Sequence, residues 1–253
     1  MTVLYFAIVA IVSYLIGTIN FSKILAWNVK RKDITKIGSG NPGTMNMLRS
    51  FGFVMAILTF VAEVVKAGLV CLISSIVLPE FASVIYYFAG AFVLLGYNFP
   101  VWSKFKGGKG VACFAGIFLF SQTWYVALAW FVVCFILFIF IEYGSVISFI
   151  YLGGNAIATT IYIWVVGVSY AWAITAIVWL LIILTLIRHR ANIQRLAKGT
   201  ENKINFKQKL QQVFRKKKGE EIINEEITEQ KPEKEIIIEN DASNNEKFDL
   251  DNK

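Results

Sequence analysis

Seven apolar runs alternate with polar connections along the chain: Val3 to Leu25, Phe53 to Leu78, Phe81 to Leu95, Val111 to Phe120, Trp124 to Phe140, Val146 to Val166 and Ser169 to Ile187. A helix crosses a hydrocarbon core of about 30 Å with about 20 mostly apolar residues. The fourth run is too short by itself, and fusing it with the fifth through Ser121, Gln122 and Thr123 would lower the count to six. Basic residues decide between the two counts. Lys30, Arg31, Lys32, Lys36 and Arg49 lie between the first two runs, Lys104, Lys106 and Lys109 between the third and fourth, and Arg188, Arg190 and Arg195 after the last. The connections near Pro79, Ser121 and Gly167 carry none. Seven crossings put every basic segment on the cytoplasmic side, whereas six would push the basic C-terminal segment outside. The pattern predicts an all-α, polytopic membrane protein with seven transmembrane helices, N-terminus outside and C-terminus cytoplasmic. Met1 to Leu25 lacks a basic start and a small-residue cleavage site, so it reads as a retained first span.

Composition excludes several classes. The 253 residues are 57% apolar and 17% charged, with a mean hydropathy of +0.60, which fits neither a soluble enzyme nor a secreted disulfide scaffold. The net charge of +8 lies in short connections and a C-terminal segment, so no basic folded module for nucleic acid is present. Cys71, Cys113 and Cys134 fall inside apolar runs without C-x-x-C spacing, and neither a metal site nor a cofactor is expected. Beyond Glu201 the chain becomes polar, and residues 219–253 hold 12 acids against 4 bases. Such a segment buries too little apolar area to offset its ordering entropy. The expected organisation is therefore a transmembrane domain over 1–201 and a charged, disordered cytoplasmic tail over 202–253.

Three segments carry the chemistry, all on the predicted cytoplasmic side. G-S-G-N-P-G-T-M-N-M-L-R runs from Gly38 to Arg49; Gly38, Gly40 and Gly43, with Ser39 and Asn41 between them, allow successive amides to turn toward one anion. It has neither the Walker A order nor a preceding strand. K-F-K-G-G-K-G spans Lys104 to Gly110 and opens the fourth run, so the Gly107 and Gly108 amides are expected at a helix N-terminus beside Lys109. R-H-R-A-N-I-Q-R-L-A-K-G-T-E, from Arg188 to Glu201, contains the single histidine, His189. On a continuing helix Arg188, Asn192 and Arg195 share one face, and His189 neighbours Asn192. Inside the spans, Glu63 and Lys66 are spaced to neutralise one another, either as a structural pair or as part of the site's field. Ser13, Gly17 and Asn20 form a small polar stripe that reads as a packing seam.

With these motifs in order and between the same spans, the chain resembles the bacterial acyl-phosphate:glycerol-3-phosphate acyltransferase family over about residues 1–201. The resemblance implies a seven-helix enzyme of the bacterial plasma membrane. It would transfer an acyl group from acyl phosphate to the sn-1 hydroxyl of glycerol 3-phosphate, giving lysophosphatidate and inorganic phosphate. Acyl phosphate is a mixed anhydride with a good leaving group, so no covalent nucleophile is needed. The expected catalytic group is His189, oriented by Asn192, with Ser39; the donor phosphate is the other candidate for the base. Expected substrate contacts are Gly38, Gly40, Asn41, Gly43, Asn46, Arg49, Tyr97, Lys104, Gly107, Gly108, Lys109, Arg188, Arg195 and Glu201. The chain departs from the family pattern at Tyr97, where His is usual, at Met45 for Thr, at Asn20 for Pro and at Ala67 for Gly. A tyrosine cannot titrate near neutrality as histidine does. Two other readings stand beside this one: a homologue that binds without turnover, and a carrier for a phosphorylated solute.

Overall fold

The computed structural model describes residues 1–204, and among them every regular element is helical. The tail expected over 202–253 lies almost wholly outside the described residues. Ten α-helices follow in chain order: α1 Thr2–Gly17, α2 Phe21–Lys30, α3 Thr44–Phe51, α4 Phe53–Val77, α5 Ala82–Asn98, α6 Val111–Leu119, α7 Trp124–Ile141, α8 Gly144–Val166, α9 Ala171–Arg188 and α10 Arg190–Ala197.

Among the described residues six stretches are long and apolar enough to cross a bilayer: Thr2–Lys30, Phe53–Val77, Pro79–Ser103, Trp124–Ile141, Gly144–Val166 and Ala171–Arg188. The protein is a multi-pass membrane protein. Many large apolar side chains face outward, among them Val132, Ile136 and Phe140 on α7 and Trp172 and Leu180 on α9. Hydrocarbon is as apolar as these side chains, so their exposure carries no penalty there.

The fourth expected span is the short helix α6, nine residues and about 14 Å long at about 1.5 Å per residue. Every residue from Ala112 to Phe118 is buried. Gly110, just before α6, lies against Leu94 and Asn98 at the end of α5. Farther along, the Ile117 carbonyl accepts a 2.6 Å bond from Tyr86 Oη near the start of α5. α6 is enclosed by protein and runs beside α5. Its rings stack into the centre of the core, Phe114 on Phe118 at 4.5 Å.

α1 and α5 lie against one another so closely that a Cβ at Gly96 would fall 2.1 Å from the Tyr14 carbonyl. Tyr14 Oη then donates to the Phe99 carbonyl at 2.7 Å, tying the two C-terminal ends together. Just beyond, the first span breaks between α1 and α2, and the buried pair from α4 serves both sides of the break. Lys66 Nζ donates to Glu63 at 2.5 Å and to the Ile19 carbonyl at 2.6 Å, while Glu63 accepts from Phe21 N at 2.8 Å. The fully buried Glu63 therefore caps the start of α2 and Lys66 holds the carbonyls released at the end of α1. Such additional bonds are what a buried ion pair needs to offset its desolvation. The pair is structural, and its reach is the positioning of α2.

Candidate active site

The first glycine segment is a braced loop. Asp33 caps the short turn Ile34–Lys36 by accepting from Thr35 N at 2.9 Å, and the chain then enters the loop that leads to α3. Asn46, on α3, accepts from Ser39 N at 2.8 Å and donates to the carbonyls of Ile34 and Ile37, both at 3.0 Å. Gly38 has φ +58, and a Cβ there would lie 2.3 Å from Asn46 Oδ1, so both conformation and space require glycine. The Gly40 amide donates to the Ile37 carbonyl at 3.0 Å. These bonds correct two expectations: Asn46 is spent on shaping the loop, and the Ser39 and Gly40 amides are already paired. Ser39 itself stays exposed, Asn41 is half-buried, and Gly43 is the residue before α3. Met45 packs on Gly144 and joins α3 to the start of α8.

The second glycine segment is also spoken for. Gly107 N donates to the Asn98 carbonyl and Gly108 N to that of Tyr97, each at 3.2 Å. Their carbonyls accept from Arg188, at 2.6 Å from Nη2 and 3.1 Å from Nε. The amides expected to meet an anion instead close the turn onto α5, because α5 ends there with unpaired carbonyls that need donors. Lys104 is exposed. Tyr97 is buried, with its hydroxyl 2.9 Å from the Pro42 carbonyl to which it donates, so it is not an open substrate contact.

On the third segment the helix breaks at His189, between α9 and α10. His189 is 2% exposed, with its ring edge-on to Phe149. Its Nδ1 lies 2.9 Å from the Thr185 carbonyl; a carbonyl can only accept, so Nδ1 carries the hydrogen. Thr185, not Asn192, orients the ring. Burial pushes the imidazole pKa down to about 4, against the opposing bond to Thr185, leaving it neutral and weakly basic at pH 7.

The break frees Asn192 to turn elsewhere, and around it the basic groups converge. Its Oδ1 accepts from Lys109 Nζ and its Nδ2 donates to Glu201 at 2.6 Å. Glu201 also accepts from Arg195 Nε at 2.8 Å and Ser145 Oγ at 3.1 Å. Burial lowers the Lys109 pKa to about 8; the Glu201 carboxylate opposes that shift, and Arg195, Arg49 and Arg188 add to it. Arg49 is likewise lowered by burial and sits in the same field. Arg188 stacks over Phe99 with its Cζ 5.1 Å from the ring centroid. The structure thus brings Arg49, Lys109, Asn192, Arg195 and Glu201 together, with Arg188 behind the second turn.

Sequence reasoning passed over three residues here. Ser145 gave no signal beyond its place at the start of an apolar run. Asn98 is fully buried beside Gly110, with neither amide atom bonded to protein; an amide side chain just past the third apolar run is the signal that could have found it. Asn20 looked like part of a packing seam. Three cations around one carboxylate, Arg49, Lys109 and Arg195 about Glu201, can hold dianionic phosphate groups.

Comparison with known proteins bears on this geometry. A family model described as Glycerol-3-phosphate acyltransferase matches residues 7–199. The glycerol-3-phosphate acyltransferase of Bartonella henselae is 37% identical over 199 residues, covering 78% of this chain and 90% of that protein. Glycerol-3-phosphate acyltransferase 2 of Bacillus anthracis is 36% identical over 194 residues, 77% of this chain and 96% of its own. Among solved structures, the glycerol 3-phosphate form of PlsY (YgiH), an integral membrane glycerol 3-phosphate acyltransferase, superposes with a TM-score of 0.68 at 30% identity, covering 78% of this chain and 94% of that one. The lysophosphatidic acid form of the same enzyme superposes with a TM-score of 0.65.

Proposed function

Because the chain belongs to the glycerol-3-phosphate acyltransferase family, we propose that it transfers an acyl group from acyl phosphate to the sn-1 hydroxyl of glycerol 3-phosphate. The products are lysophosphatidate and inorganic phosphate. The observation that carries this reading is the convergence of Lys109, Arg49 and Arg195 on the Asn192–Glu201 pair at one end of the bundle. Both substrates bear a phosphate, and this is where the charge to hold phosphates is gathered.

In this reading Arg49, Lys109 and Arg195 hold the phosphates, Ser39 and Asn41 line the entrance, and Glu201 and Asn192 keep the cations in register. The hydroxyl oxygen attacks the acyl carbon, the acyl carbon–oxygen bond to phosphate breaks, and phosphate leaves with the bonding electrons. The hydroxyl proton passes to a phosphate oxygen of the donor. His189, neutral, weakly basic and behind Phe149, serves to hold the α9–α10 break. Catalysis comes from juxtaposing the two substrates and from cations that stabilise the departing phosphate.

The proposal includes seven crossings with the site on the cytoplasmic face. Its support is connectivity. Ile204 N, at the site end, donates to the Glu142 carbonyl just past α7, while α7 begins next to Ser121 at the far end of α6. The buried α6 then counts as the crossing that carries the chain from Gly110 to Ser121. A carrier would need a polar path to the opposite face. The cavity there, about 180 Å³ and lined by Ser75, Ser83, Tyr86, Tyr87, Ser121 and Gln122 among others, has no charged side chain in its lining.

The test is purified, reconstituted protein supplied with acyl phosphate and radiolabelled glycerol 3-phosphate, scored for lysophosphatidate and phosphate, with acyl-coenzyme A as the alternative donor. Turnover with acyl phosphate alone is expected. Robust turnover with acyl-coenzyme A alone overturns the donor assignment, and no lysophosphatidate from either donor overturns the activity.

A further inference from the structure

We infer that Asn20 and Tyr97 are a pair of positioning residues that hold the first glycine loop by its Pro42 carbonyl, and so set the loop for the reaction proposed above. Proline has no amide hydrogen, so at the middle of the sequence Asn41-Pro42-Gly43 the carbonyl is the available backbone handle. Two side chains from different helices reach it. Asn20 Nδ2 donates at 3.2 Å and Tyr97 Oη at 2.9 Å, both within the buried interior. The second glycine turn closes over the same spot: a Cβ at Gly108 would fall 2.7 Å from the Pro42 oxygen and 2.4 Å from the Tyr97 ring. Tyr97 also accepts from Gly108 N through its own carbonyl. The two glycine segments therefore meet at one oxygen, with Tyr97 bonded to both.

Neither donor is loosely placed. Asn20 Oδ1 accepts from Lys23 N at 3.0 Å, capping α2, and from Ser22 Oγ at 2.5 Å. The break that carries Asn20 is held in turn by the Glu63–Lys66 pair through Phe21 and Ile19. The Tyr97 ring packs with its centroid 5.2 Å from Lys66 Nζ. A continuous chain of contacts thus runs from the buried ion pair through the α1–α2 break and Asn20 to the loop that precedes Arg49. A carbonyl oxygen has two lone pairs, so either donor alone keeps it satisfied. Removing both leaves a buried acceptor without a partner, which is the costly case, and the loop must move to find water.

This predicts a non-additive pair. Tyr97→Phe keeps the ring and removes the hydroxyl; Asn20→Ser keeps a capping oxygen for α2 and removes the amide donor. In the full chain, purified in lipid nanodiscs, each single variant is expected to keep turnover within about threefold of wild type and the double variant to lose about thirtyfold or more. Backbone hydrogen exchange over residues 38–44 should rise sharply in the double variant only, with the thermal midpoint changed little, a local signature that general destabilisation does not produce. Unchanged exchange in the double variant overturns the latch. Raised exchange with turnover retained, or a double variant equal to the product of the singles, overturns its positioning role. An inactive wild type refutes the proposed reaction and the loop's role in it, while the exchange measurement still decides whether the latch exists.

Discussion

Lys109 offers the sharpest test of the site, because its charge is both needed and expensive to keep there. Its ammonium is half-buried and lies in the field of Arg49, Arg188 and Arg195, and burial with these charges brings its pKa down from 10.5 to about 8 even with Glu201 opposing. A lowered lysine pKa means the charged form is complete well below pH 8 and is lost as pH rises through it. If that charge stabilises the departing phosphate, kcat/KM, which reports the free enzyme, should be half its plateau value near pH 8 and about a tenth of it at pH 9. Bound phosphate raises the lysine pKa, so the same limb in kcat should lie at higher pH. The assay is initial rate against pH from 6.5 to 9.5 at low glycerol 3-phosphate, with donor hydrolysis subtracted. Two variants locate the limb. Lys109→Arg, permanently charged, should flatten it at reduced rate, and Glu201→Gln, which removes the opposing carboxylate, should move it to lower pH. A flat wild-type profile to pH 9.5, or a limb that survives in Lys109→Arg, refutes the reasoning.

Four other outcomes follow from the same geometry. Lys66→Met strands the buried Glu63 carboxylate and the Ile19 carbonyl, and should cost about 3–5 kcal/mol in unfolding measured in detergent; Glu63→Gln combined with Lys66→Met should be the more stable of the two. Arg49→Ala should lower kcat/KM by about 2–4 kcal/mol with folding retained, and a loss under about twofold would make it a topology signal only. His189→Gln should keep turnover within about tenfold of wild type, whereas a loss beyond about a hundredfold would restore the histidine as general base. Cysteines at the exposed positions Gln122 and Ser169 should react with an impermeant reagent applied to intact cells, and one at exposed Lys106 should not; the reverse pattern would remove the seven-crossing orientation.

The helical membrane class, the long spans and the three basic segments were legible in the chain because each depends on local quantities. Run length decides whether a helix can cross, and charge decides where a connection can stay. The motifs bearing Arg49, Lys109, Asn192, Arg195 and Glu201 could be read for the same reason, since residue type and order survive without coordinates. The short α6 marks where that reading thins: its nine residues are wrapped in protein, and run length contains nothing about wrapping.

Tertiary structure alone decided what each polar group does with its bonds. From sequence, every glycine amide near a lysine is a candidate anion contact; in the fold the amides of Ser39, Gly40, Gly107 and Gly108 are already given to Asn46, Ile37, Asn98 and Tyr97. His189 and Asn192 are neighbours on an ideal helix, yet the break between them sends one to the Thr185 carbonyl and the other to Lys109 and Glu201. Ser145 and Asn20 gave little warning because their partners, Glu201 and the Pro42 carbonyl, lie tens of residues away. A buried donor or acceptor is satisfied by whatever the packing brings within about 3 Å, and that neighbour is chosen by the bundle, not by the residue's place in the chain.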